Sequence, residues 1–435
     1  MTMLRRVALV LAMLAALLAG WLWHVNVNDG VDISTGLDAA SGTDGAALRA
    51  RGADLARAGN CMACHTARGG TPYAGGRPIE TPFGTLFSSN LTPDPRTGLG
   101  AWTAGAFWRA LHHGRSRDGR LLYPAFPYTH TTLLTRADSD ALFAHLQALP
   151  PTPAEPPAAQ LRWPYGTQAA LAIWRALYFK PGNFSPDPSQ SADWNRGAYL
   201  VRGVAHCSAC HATRDALAGA DWQTLTGGQL LAQGWYAPSL HATGEASVAQ
   251  WPLDDIVRLL KTGQARGAGV SGPMAEVVLH GTQYLSESDL TGIATYLKSL
   301  PQHVPAAPST AAAPAAPRAA VATAGGKLYG EHCASCHGER GEGVAGAYPA
   351  LAGNRAVTLG RADNLVQMVL HGGFAPATAG NPRPFGMPPF VLTLSDHDIA
   401  AVLTHIRSNW GNRAAEVTPL DVHAGRAGVA IAAPR

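Results

Sequence analysis

The six cysteines of this sequence all lie in three pentapeptides, CMACH at 61–65, CSACH at 207–211 and CASCH at 333–337. In each, the first Cys and the His are about one helical turn apart, so the two sulfurs and the imidazole project from nearby positions toward one object. Cys-x-x-Cys-His is the attachment signature of c-type haem: the sulfurs form thioethers to the porphyrin and the His binds iron from one face. Cys61, Cys64 and His65 are therefore assigned to a first haem, Cys207, Cys210 and His211 to a second, and Cys333, Cys336 and His337 to a third, giving three covalently attached c-type haems. A zinc site would need a second Cys pair or a His pair at finger spacing, and no segment holds a second Cys pair. Six cysteines in an exported chain also allow three disulfides, but every Cys here belongs to a motif.

The opposite face of each iron decides what the haem does, and a thioether there raises the potential and fills the site for electron transfer. Met274 in GVSGPMAEV follows His211 by 63 residues and Met387 in RPFGMPPF follows His337 by 50, in equivalent places of two repeats. Both are taken as axial ligands rather than core fillers. The first repeat reads RDGRLLYPAFPYTH, with Phe126 at the Met position. A phenyl ring has no lone pair for iron. His130, four residues on, is the nearest candidate donor for the first haem, with His112 and His113 behind it and an open or water-bound site as the remaining alternative. Each proximal His needs a carbonyl for its other ring nitrogen, and Pro82, Pro238 and Pro349 lie in loops able to present one.

The elements that must position these groups repeat three times. FWRALHHG, IVRLLKTG and LVQMVLHG read as short helices stopped by Gly114, Gly263 and Gly372. Thr135 with Asp138, Ser286 with Asp289, and Ser395 with Asp398 open three later amphipathic helices in capping-box fashion. The expected fold is all-α, in units of about one hundred residues whose Gly- and Pro-rich loops need a large apolar cofactor to complete a core. The expected units are 45–150, 190–301 and 324–412, separated by a Pro-rich linker at 151–189 and an Ala/Pro linker at 302–323, with a tail at 413–435 that is weakly amphipathic and expected to be disordered.

Residues 1–30 hold a basic start, MTMLRR, and the apolar run VALVLAMLAALLAGWLW. With Trp21, Trp23 and His24 where a small-x-small cleavage site would fall, an uncleaved anchor is favoured over a cleaved signal peptide. Arg5 and Arg6 would stay cytoplasmic and the remainder would face the periplasm. A net charge of +4 over 435 residues, without a basic run, gives no reason to expect nucleic acid.

TPFGTLFSSNLTPDPRTGLGAW, WNRGAYLVRGVAHCSACH, FGMPPF and SNWGN resemble the membrane-bound tri-haem cytochrome c subunits of bacterial periplasmic dehydrogenases for alcohols, gluconate and aldehydes, over about Leu55 to Asn412. The resemblance implies three tandem class I cytochrome c-like domains that accept electrons from a separate catalytic subunit and pass them toward membrane quinone, with Met274 and Met387 as ligands. YPAFPYTH departs from the YPAMPY of the alcohol dehydrogenase type and is similar to a branch whose partners are molybdenum hydroxylases, beside the PQQ and flavin enzymes of the wider family. Two other readings compete: a peroxidase-like enzyme with an open first haem, and a cytochrome subunit of a terminal oxidase.

Overall fold

In the computed structural model, residues 2–27, 29–36, 45–230, 233–303 and 319–427 are described. The apolar α1 (Thr2–Val27) leads, unburied through its hydrophobic window. The first motif segment contains α2 (Gly45–Ala58), α3 (Ala104–His113) and α4 (Arg136–Gln147), followed by α5 (Gln168–Tyr178). The second contains α6 (Ala192–Tyr199), continued by a π turn at Leu200–Val204, then α7 (Leu253–Thr262), α8 (Gly272–His280) and α9 (Glu287–Ser299). The third contains α10 (Ala319–His332), α11 (Asp363–His371), α12 (Asp396–Ser408) and α13 (Pro419–Arg426).

Each segment is organised by a crossing between the helix before its motif and its late capped helix. Gly52 of α2 faces Ala141 of α4, Gly197 of α6 faces Gly292 of α9, and Gly325 of α10 faces Ala401 of α12. A Cβ at these glycines would come within 1.9, 1.9 and 2.2 Å of the facing carbonyl oxygens, so only a bare backbone permits the approach. The anticipated caps are present: Thr135, Ser286 and Ser395 accept from the amides of Asp138, Asp289 and Asp398, and Ser395 forms a full capping box. Gly114, Gly263 and Gly372 end α3, α7 and α11 with φ of 58°, 76° and 65°.

The all-α expectation is overturned. Among the described residues, short strands form four antiparallel sheets: β1 (Pro78–Thr81), β2 (Gly84–Phe87) and β3 (Gln160–Leu161); β4 (Gly228–Leu230) and β5 (Trp235–Ala237); β6 (Gln264–Ala265) and β7 (Ala268–Gly269); β8 (Gly373–Phe374) and β9 (Gly386–Met387). Of the described residues, helix accounts for 46% and strand for 9%. The long loops after each motif carry backbone donors and acceptors that no helix satisfies, and hairpin pairing satisfies them locally.

The 151–189 stretch is also more structured than a linker. Its extended part returns to the first segment, where Asn90 Nδ2 donates to Thr152 O at 2.8 Å and β3 joins β2, and it then forms α5. Of the 302–323 stretch, residues 304–318 lie outside the described residues, and α10 begins at Ala319. The tail is ordered through α13, whose Val422 is fully buried on the third core; residues 428–435 lie outside the described residues.

Two apolar cores result. One joins residues of the first and second segments, from Leu55 through Leu200 to Leu300, and the other belongs to the third. Tyr199 Oη donates to Asp138 Oδ2 at 2.5 Å across the first two segments. The third docks on the second mainly through polar contacts: the Asn364 side chain pairs with both backbone groups of Tyr236, and Arg361 Nη2 donates to Gln229 Oε1 at 3.0 Å.

Candidate functional site

The three motifs fold as single helical turns at Cys61–Cys64, Ser208–His211 and Ala334–His337. His65 Nδ1 lies 2.7 Å from Ser89 O, His211 Nδ1 2.7 Å from Pro238 O, and His337 Nδ1 2.9 Å from Pro349 O. Since a carbonyl only accepts, Nδ1 carries the proton in each ring and Nε2 keeps a lone pair. Burial holds the His65 and His211 imidazoles below their usual pKa, which favours this neutral form. A fixed Nδ1–H and a free Nε2 are what a metal-binding His requires.

Pro238 and Pro349 present carbonyls as anticipated, but Pro82 does not. Pro82 sits in the turn between β1 and β2, and its carbonyl instead accepts from Arg162 Nη2. The chain comes back to His65 only after β2, at Ser89. Pro238 occupies the matching place just after β5. Proline identity was the wrong signal, and the correspondence of SSNL with APSL was the right one.

All six cysteines are free of disulfides, and burial pushes the thiols of Cys61 and Cys207 up to about 12 and that of Cys333 up to about 11. Burial raises the thiol of Cys210 in the second motif loop, opposed by Arg214 and assisted by Cys64 in the first. The flanks of these two loops touch directly: His206, next to Cys207, has Nε2 3.2 Å from Gly59 O, two residues before Cys61. Neither His206 nor Arg77, which bonds Ala63 O inside the first motif at 2.7 Å and Glu276 of α8 at 2.9 Å, was singled out by sequence reasoning. Both lie in contacts between repeats, which a single repeat does not reveal.

Met274 lies in the first turn of α8, half-buried against the first core, and Met387 lies in β9, half-buried against the third-segment core. Phe126 is likewise half-buried against the first core. The turn after it, Tyr128–Thr131, rests on the π turn of the second segment, while α8 rests on the first motif turn. Each repeat thus lends the segment after its Met or Phe position to the other's motif.

His130 is drawn into this exchange. It is 1% exposed, with Nε2 2.8 Å from Ser208 Oγ and Nδ1 3.0 Å from Thr129 Oγ1. Ser208 already donates its hydroxyl proton to Trp222 O at 2.7 Å, so His130 donates from Nε2 and accepts at Nδ1. Both ring nitrogens are thus engaged with hydroxyl groups. His112 is buried and stacked 4.3 Å from Trp108, its pKa lowered by burial to about 4, and His113 is packed against it at 4.7 Å.

Among the described residues no group of three or more His, Cys, Asp or Glu is gathered for a bare metal ion. The paired free thiols, the imidazoles oriented through Nδ1 and the apolar surroundings fit a covalently attached haem, and these features define a c-type cytochrome.

The cytochrome c family model matches residues 49–150 and 322–410. The chain is 39% identical over 395 residues to the cytochrome c subunit of the quinone alcohol dehydrogenase of Gluconacetobacter polyoxogenes, covering 87% of this chain and 84% of that one. It is 36% identical over 393 residues to the gluconate 2-dehydrogenase cytochrome c subunit of Pantoea cypripedii, covering 86% and 89%. It is 43% identical over 368 residues to a subunit of the nicotinate dehydrogenase of Pseudomonas putida, covering 83% of this chain but only 30% of that longer protein. The chain belongs to the family of cytochrome c subunits of dehydrogenase complexes, electron-transfer subunits with covalently bound c-type haem rather than catalytic ones.

Proposed function

We propose that this chain is a periplasmic tri-haem cytochrome, held at the cytoplasmic membrane by α1, that takes electrons from a catalytic dehydrogenase subunit and relays them toward membrane quinone or a terminal oxidase. The units are 45–150, 190–301 and 324–412. Cys61 and Cys64, Cys207 and Cys210, and Cys333 and Cys336 hold the porphyrins; His65, His211 and His337 hold iron on one face, with Met274 and Met387 opposite in units two and three. Bound haem supplies one-electron chemistry at iron. The protein fixes each imidazole through Ser89, Pro238 or Pro349, excludes water with its two cores, and joins the units through His206–Gly59 and Asn364–Tyr236.

The observation that carries this reading is the same His–carbonyl pairing at all three motifs in one continuous chain of packed units. A pyridine haemochrome assay against protein mass should give three haems per chain; two would sink the tri-haem reading. For the partner, Phe126 and the likeness to part of a nicotinate dehydrogenase favour a molybdenum hydroxylase over a PQQ or flavin enzyme. Metal analysis of the complex purified through this chain should find molybdenum, and finding PQQ or flavin alone would reverse that choice.

A further inference from the structure

We propose that α5 and the Trp163–Tyr165 turn before it lie on the membrane surface beside α1, as a lipid-facing patch held at fixed depth by a polar latch. The inference rests on the reading of α1 as a retained anchor.

The helix QAALAIWRALY is built inside out for a water-exposed helix. Its single charge, Arg175, is 3% exposed and turned inward, while its outer face carries Ala169, Ile173 and Leu177, the last two 51% and 61% exposed. Surface helices place polar side chains on that face. The turn leading into α5 adds Trp163, 86% exposed, and Tyr165, the residue types that settle at membrane–water interfaces. Exposed Arg162 and Lys180 flank the apolar stretch, suited to anionic headgroups.

What covers this face is indicated by where α1 ends. Its 26 residues extend about 39 Å at ~1.5 Å per residue, more than the ~30 Å hydrocarbon core, so the last turn stands at the interface. There Asn26, 5% exposed, donates to Ala172 O of α5 at 3.1 Å and accepts from Arg175 Nε at 2.9 Å. Arg115 binds Val27 O at 2.8 Å and forms an ion pair with Asp29. Loss of this junction would strand the buried Arg175 guanidinium. The latch therefore sets α5 at the level where the anchor leaves the bilayer.

The test uses the full-length holoprotein in vesicles of phosphatidylethanolamine and phosphatidylglycerol. An aryl diazirine dissolved in the lipid is photolysed, and labelled peptides are located by mass spectrometry. Adducts are expected in α1 and in the Trp163–Leu177 stretch, and at background level at the exposed Lys327 and Glu331 of α10. The Ile173→Glu/Leu177→Glu double variant, whose sites are exposed, should keep its haem spectrum and lose most labelling of α5 while α1 stays labelled. Labelled α1 beside unlabelled α5 overturns the patch alone, whether water or a protein partner covers that face. A mature chain lacking the α1 peptide overturns the anchor reading beneath it.

Discussion

At the residue scale, His130 shows how a side chain suited to one role is committed to another. Its imidazole links the loop after Phe126 to the second motif through Ser208, so it ties two repeats together. His130→Ala is expected to leave the low-spin EPR signals of the first haem unchanged, while costing about 1–3 kcal/mol for the buried partner left unsatisfied. Loss of one low-spin signal would identify His130 as a ligand. Burial, with His206 and Arg214 nearby, lowers its pKa to about 3 from 6.5. Below pH 6.5 the unfolded chain binds a proton that the folded one refuses, so the stability this site gives is full above 6.5 and falls as pH drops toward 3. His130→Gln removes that proton, so if the polar link is otherwise kept the variant should melt with the parent at pH 7 and above it at pH 4. The helical turns of the three motifs and the pairing of their His residues with loop carbonyls were legible because the spacing is local. The bonding of His130 was not, because its partner is 78 residues away in another repeat.

At the scale of elements, the sequence announced what local rules determine and was silent on close approaches. Gly114, Gly263 and Gly372 stop helices, and Thr135, Ser286 and Ser395 start them, because φ and cap chemistry depend on a few neighbouring residues. The sheets escaped notice because strands of two to four residues are too short for an alternating pattern to register. The helix crossings escaped for another reason: Gly52, Gly197 and Gly325 matter only through the backbone they touch. Gly197→Ala would force a methyl to within 1.9 Å of Gly292 O. We expect a loss of about 1–3 kcal/mol or more and poor haem loading of the second unit, read by haem stoichiometry and melting temperature. Gly244→Ala, where nothing lies within 4 Å, should leave both unchanged.

At the scale of the whole molecule, three similar repeats do not make three equivalent parts. The first and second share one apolar core and bond across it through Tyr199–Asp138, His206–Gly59 and His130–Ser208. The third has its own core, closed by α13, and meets the second through polar contacts such as Asn364–Tyr236 and Arg361–Gln229. Cooperative unfolding follows shared burial, since a core cannot open on one side alone, whereas a polar interface lets its two sides part separately. Guanidinium unfolding of the holoprotein, followed through the axial-ligand spectra of the individual haems, should therefore show two transitions, with the first and second haem sites lost together and the third apart. Substitutions at the crossings separate the two. Gly197→Ala should shift the joint transition to lower denaturant and leave the other in place, while Gly325→Ala should do the reverse. A single transition moved by both, or three independent ones, would contradict this division. The asymmetry bears on electron transfer, because the first pair of sites is held at a fixed separation by a common core. Transfer between them should be insensitive to weakening of the polar interface, and transfer to the third should slow when Asn364→Ala loosens it.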